Sequence, residues 1–426
     1  MVCAVRDSPD EPVRRALLDA ATGPIHPAAR EVLLAAIEQG WADPQRRYAE
    51  ARAARRLLDQ AREVLAEGLR VRPEEVSFTL GGPQALRLGL AGLRYAARRR
   101  GARVLASAVE HSAVLLAAAD AGNAWYAAST ARTDQADAAE RPATGAAPAG
   151  GGALVAPADL ATLAPVDRWG RVDLDAWAQA AVTPGLAVAA LQAANGEVGT
   201  RQPLAAAREL TRAHGIPLLV DATATLGRDA SPTDYDVLAG DARSWGGPTG
   251  LGVLVVPART RWRSAAGDPG VEFGRTQDEP LVPLALAAAQ AWQDTAAVRE
   301  ADAAAARALV DRIRAVAAAL PDTEVVGDPV DRLPHVTTFS CLFVDGEAIV
   351  DELDRRGFAV ASGSACTSAT LQPSHVLAAM GVLSHGNVRV TLPLAAVAPD
   401  RAEAVERFCA VLPEAVAAVR AHLAPR

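Results

Sequence analysis

Lysine is missing altogether from these 426 residues, so all 43 basic side chains of the Lys and Arg class are arginine. A guanidinium stays protonated and cannot serve as a nucleophilic amine. Chemistry that runs through a lysine imine is therefore excluded at the outset. Cysteine is scarce: Cys3, Cys341, Cys366 and Cys409 are widely separated, without CxxC or Cys/His spacing. That argues against a disulfide framework or a zinc site, and a reducing cytoplasm is the expected location. No stretch approaches the ~18 apolar residues of a membrane span. The first residues, MVCAVRDSPDEPVRR, carry charges where a signal peptide needs an apolar core. Basic excess is lacking too. The formal charge is −7, which argues against nucleic acid and anionic membranes as partners. The clear basic run, Arg98–Arg100, is expected to close a helix, where cations suit the dipole.

What is present is a core-forming pattern. Half of the residues are hydrophobic, enough for a chain of this length to bury a core without covalent staples. A short helix and a turn are expected over 10–22, and helices over 27–40 and 46–68. EEVSFTL (74–80) reads as a strand that stops at Gly81-Gly82, with a helix over 84–99. A strand over 102–108 and a helix over 111–121 follow. Residues 122–153 lose all apolar period and read as a low-complexity surface insertion. Strands then alternate with helices again: 186–193, 217–223, 236–242 and 252–257, with a helix over 204–215. Such alternation predicts an α/β fold with a mostly parallel sheet covered on both faces. Ligands would sit beyond the carboxyl ends of the strands. Long Ala-rich helices over 280–319, strands at 336–343, 358–364 and 387–393, and helices at 346–356 and 399–423 predict a smaller α+β domain.

The segment ASGSACTSATLQPSHVLAAMG (361–381), followed by NVRVTL (387–392), resembles the signature of the cysteine desulfurases, class V aminotransferases of the fold-type I pyridoxal phosphate (PLP) group. Six further blocks follow in register: LDAATGPIHP (18–27), FTLGGPQA (78–85), VEHSAVL (109–115), ANGEVGTRQPL (194–204), VDATATLG (220–227) and DARSWGGPTGLGVL (241–254). The resemblance implies a large domain over 17–265 with a seven-stranded sheet between helices. A small domain over 266–426 would carry the cysteine loop, with residues 1–16 packed against it. It also implies a dimer, a sulfur-acceptor protein, and removal of sulfur from L-cysteine to leave alanine.

Carried over position by position, Cys366 would hold the sulfur as a persulfide, on a loop made flexible and exposed by Gly363, Ser364, Thr367 and Ser368. His111 would stack on the cofactor ring, Asp221 would face its pyridine nitrogen, and Arg389 would bind the substrate carboxylate through its two-pronged donor face. Gly82 belongs to the phosphate loop. Cys3, Cys341 and Cys409 read as small core residues; His111 at a helix start, Asp221 at a strand end and Arg389 near a surface strand each have an ordinary structural role as the alternative.

Departures cluster around the cofactor. Ser244 stands at the Schiff-base lysine position, and Arg243 replaces a neighbouring histidine. A hydroxyl makes no imine, and losing a placed acid–base group costs about 10²–10⁴-fold in rate. Pro83 replaces the threonine of the phosphate loop and removes a backbone donor as well. Ala224 replaces a glutamine. Gly196 replaces the asparagine for the ring hydroxyl, with Asn195 next to it as a substitute. Glu279 falls where a partner subunit would supply a threonine to the phosphate. Three readings result: a degenerate desulfurase homologue that pairs with itself or an active paralogue, an active desulfurase holding PLP noncovalently, or a different small-ligand enzyme or partner-binding protein on the same fold.

Overall fold

The computed structural model describes residues 15–120, 160–265, 267, 270–363 and 374–423. The insertion read at 122–153 and the Cys366 loop thus lie outside the described residues. The strands are β1 (Ala16–Leu17), β2 (Val76–Thr79), β3 (Arg103–Ser107), β4 (Ala161–Ala164), β5 (Leu186–Gln192) and β6 (Leu218–Asp221). They continue as β7 (Val237–Asp241), β8 (Gly252–Val255), β9 (Thr323–Val326), β10 (Val336–Cys341), β11 (Phe358–Ala359) and β12 (Asn387–Thr391).

Seven strands form the main sheet in the order β2-β8-β7-β6-β5-β3-β4. β4, β3, β5, β6 and β7 run parallel, and β8 is antiparallel to both its neighbours, β2 and β7. β5 is buried along its whole length, LAVAALQ, as an apolar strand covered on both faces must be. One face packs under helix Gly82–Ala96, where Leu86, Leu90 and Leu93 recur at helical spacing against Leu219, Val237 and Leu254. The other face carries Trp177, Trp245 and Phe78 beneath helices that include Ala49–Leu69 and the first half of Val282–Ala318.

That 37-residue helix joins two cores. Its residues Val282 to Trp292 belong to the large core, and Ala306 to Ala317 to a second one. The second core lies on an antiparallel sheet, β12-β10-β9, with helices Gly346–Arg355 and Arg401–Leu423.

Several expectations change. Residues 15–22 are not helical but form β1 and a short 3-10 turn. Ala16 and Leu18 donate backbone hydrogen bonds to Gly357 and Ala359 (both 2.8 Å) and bury their side chains in the second core. That is a strand's period of two. The strand expected over 358–364 shortens to Phe358–Ala359. β4, β9 and helix Leu174–Ala181 had no counterpart in the sequence reading. The last is capped by Asp173, whose carboxylate accepts from the amides of Asp175 (2.9 Å) and Ala176 (3.0 Å). Among the described residues no helix is long and apolar enough to cross a membrane.

Candidate functional site

Parallel strands bring their carboxyl ends to one crevice. Gln192 ends β5 beside Asp221, which ends β6, and Asp241 ends β7. The turn Gly81-Gly82 opens helix Gly82–Ala96 against them. Gly81 sits at φ +105°, backbone that glycine adopts without strain.

Asp221 is buried, and its Oδ1 accepts from Thr223 twice, from the amide at 2.8 Å and the hydroxyl at 2.6 Å. Burial raises its pKa above the usual carboxylate value; the Thr223 hydrogen bonds and the nearby His111 oppose that, and Asp241 adds to it. His111 itself caps helix Ser112–Ala119, its Nδ1 accepting from the amide of Ala113 at 3.1 Å. The helix-start role and the proximity to Asp221 hold together.

The mouth of helix Gly82–Ala96 is filled by a side chain. The amide of Gly82 donates to Asp241 Oδ2 at 2.8 Å. Arg243 grips the same carboxylate with Nε on Oδ1 (2.9 Å), Nη2 on Oδ2 (3.1 Å) and its amide on Oδ1 (3.1 Å). Pro83 offers no amide. Ser244, at the end of β7 in a 3-10 turn, places Oγ 2.8 Å from the carbonyl of Leu226 and 2.9 Å from that of Asp241. Its single proton serves one of these acceptors.

Asn195 spends its amide on the protein. Its Nδ2 donates to Val109 O (3.1 Å) and Gln192 Oε1 (3.5 Å), and its Oδ1 accepts from the amides of Glu197 (2.8 Å) and Val198 (2.9 Å). Gly196 and Ala224 face each other: a Cβ placed on Gly196 would lie 3.5 Å from that of Ala224. Glu279 is exposed and accepts from Gln45 Nε2 at 2.7 Å within the same chain.

Arg389, on β12, reaches Asp19 at 3.8 Å, and its buried Nε has no hydrogen-bond partner among the described residues. Glu197 is beside it; burial raises the Glu197 pKa, and Ser374, Arg389 and His375 pull it back. Cys341 and Cys409 are buried free thiols. Burial pushes both up, Cys409 to about 11, so both stay protonated and unreactive near neutral pH.

Glu110 is among the residues that escaped the sequence reading. Glu110 is fully buried between Gln192, whose amide it accepts at 3.0 Å, and Asp221. Its Oε2 has no hydrogen-bond partner among the described residues. Burial, then the Asp221 charge, raises its pKa well above the ordinary range. The signal was in VEHSAVL, where an acid stands in the turn between an apolar strand and a helix start.

These groups do not fit PLP in its tethered form. The amine is absent, and the Gly82 amide and the Arg243 guanidinium, the donors a phosphate would need at a helix N-terminus, already hold a carboxylate. A phosphate there would meet like charge at Asp241.

The aminotransferase class-V family model matches residues 16–130, 157–268 and 282–401. A cysteine desulfurase of Cereibacter sphaeroides is 31% identical over 94% of this chain and 95% of its own. An IscS-like cysteine desulfurase of Mycobacterium tuberculosis is 32% identical over 94% and 96%. Among solved structures, a NifS-like protein superposes with a TM-score of 0.76 at 20% identity, covering 95% of this chain and 99% of its own. The apo cysteine desulfurase of Thermococcus onnurineus NA1 gives 0.72 at 18%, covering 95% of each.

Proposed function

We infer that this chain, which belongs to the cysteine desulfurase family of class-V aminotransferases, is a degenerate copy that has lost PLP chemistry and keeps a sulfur-carrying thiol at Cys366. The observation that supports this is the Asp241 carboxylate seated on the Gly82 amide and clamped by Arg243. A fixed internal anion competes with any phosphate for that position, at the high effective concentration of a tethered group. Ser244 compounds the loss, since it supplies neither an imine nor a proton shuttle near neutral pH.

The remaining chemistry is thiol exchange. Cys366 as thiolate attacks the outer sulfur of a donor protein's persulfide; the donor departs as thiolate and Cys366 carries the sulfur onward. In this reading the protein works in the cytoplasm, as a homodimer or paired with an active paralogue, and hands sulfur to an acceptor protein.

The test is spectroscopic. Purified protein mixed with PLP is expected to show no imine absorption and no borohydride-fixable adduct. With cysteine it releases neither sulfide nor alanine, yet accepts sulfur from a persulfidated donor at Cys366, read as a mass gain lost in Cys366→Ala. Turnover of cysteine with noncovalently bound PLP, using the retained Asp221 and Arg389, would overturn the reading.

A further inference from the structure

At the opposite ends of the same strands lies a second concavity of ≈ 840 Å³. It is bounded by Pro217 and Asp236, which precede β6 and β7, and by the turn after helix Gly82–Ala96. That 15-residue helix separates it from the Asp241 crevice by roughly 22 Å at 1.5 Å per residue. Six arginines line it: Arg98, Arg99, Arg100, Arg212, Arg261 and Arg263. Among the described residues Asp236 is the one acid in the lining, and it is already engaged by Arg208 (3.0 Å) and the amide of Leu218 (2.9 Å). Ala96, Ala97 and Pro217 add an apolar wall.

Two residues of the sequence run Arg98–Arg100 meet carbonyls around the helix end. Arg98 donates to Tyr95 O (3.2 Å), and Arg100 donates to the carbonyls of His214 (3.2 Å) and Gly215 (2.6 Å). Arg99, Arg212, Arg261 and Arg263 are exposed. The helix terminus contributes about half a negative charge, which six guanidiniums outweigh.

We propose that this cleft binds a small oligophosphate, such as a nucleoside triphosphate or an inorganic phosphate chain. Guanidinium forks match phosphate oxygens two at a time. The volume falls in the range of small-ligand sites, about 300–1,000 Å³. The shape is a bounded concavity rather than a long stripe, and the chain's net charge of −7 repels an extended polyanion. A small, densely charged ligand suits both facts. The apolar wall would receive a base.

The proposal stands apart from the desulfurase reading and is tested by binding alone. The full chain is titrated calorimetrically at 150 mM salt with ATP, AMP, inorganic triphosphate and a single-stranded oligonucleotide. ATP or triphosphate is expected to bind at least about tenfold more tightly than AMP; ATP ahead of triphosphate shows that the base contributes. Arg212→Glu and Arg261→Glu, neither of which anchors the turn as Arg100 does, are each expected to weaken binding by about tenfold or more. Their melting temperatures, compared with the parent, separate lost binding from lost folding. The proposal fails if neither oligophosphate binds, if the folded variants bind as the parent does, or if the oligonucleotide binds more tightly than both.

Discussion

Glu110, Asp221 and Asp241 crowd three carboxyls into one crevice, and each meets its charge differently. Asp241 spends it on Arg243 and Gly82, Asp221 on Thr223, and Glu110, in full burial beside Asp221, has its pKa pushed well up. A carboxyl whose folded pKa is raised keeps its proton while the unfolded chain loses one. The stability tied to Glu110 is therefore full below its ordinary value of 4.5. It is lost as pH climbs from there to the folded value, at about 1.4 kcal/mol per pH unit. Glu110→Gln keeps an acceptor for the Gln192 amide and removes the titration. Urea unfolding between pH 5 and pH 9 is expected to show a flatter profile for the variant, converging with the parent toward acid pH. Parallel profiles would remove Glu110 from the account. The second residue-scale prediction concerns Ser244 and Asp241 together. Ser244→Lys alone restores an amine beside a cup still filled by Asp241. Ser244→Lys with Asp241→Ala frees the Gly82 amide and the Arg243 fork. The double variant is expected to form a borohydride-fixable PLP adduct at least tenfold more readily than the single one, measured by mass.

Helix Gly82–Ala96 begins against the carboxyl ends of β6 and β7, so its first residue has no room. A Cβ on Gly82 would lie 2.7 Å from Thr223 Cγ2 and 2.9 Å from Asp241 Cβ. Gly82→Ala is expected to cost about 1–3 kcal/mol by overpacking, read as a lower urea midpoint at unchanged m-value. An unchanged midpoint would show that the turn has slack the distances deny. The same element marks how far the sequence could be read. The apolar period at Leu86, Leu90 and Leu93, the Gly81-Gly82 stop and the buried β5 run were visible, because burial on one or both faces imprints a period. Ser244 and Pro83 were visible as residues that lack the needed atoms. The Asp241 plug was not, since pairing a strand end with a helix mouth 159 residues away leaves no local pattern. β1 was misread as helix for a related reason: so short a strand is fixed by its partner, Phe358–Ala359, which lies far along the chain.

The whole molecule is held across its two cores by one long helix, and the charge buried where they meet tells how tightly. Asp302, on the middle of Val282–Ala318, pairs with Arg401 at 2.8 Å, both side chains nearly inaccessible. It also accepts from the amide of Ala395 at 2.9 Å. Arg228, from the turn after β6, lies in the same field and donates to Leu392 O at 2.8 Å. Burial lowers its pKa to about 10, the Asp302 charge opposing and Arg401 adding. One carboxylate therefore offsets two buried guanidiniums, one from each core's side of the junction. The intact cluster need not outweigh an apolar packing of similar volume, but breaking it strands both cations, at about 3–5 kcal/mol. Asp302→Ala is expected to lower stability by that order and to split unfolding into two transitions. Tryptophan fluorescence would report the large core, where Trp177, Trp245 and Trp292 sit. Hydrogen exchange of helix Arg401–Leu423 would report the other. A single coincident transition in the variant, shifted by less than about 1 kcal/mol, would mean that the long helix and its apolar contacts alone couple the two halves.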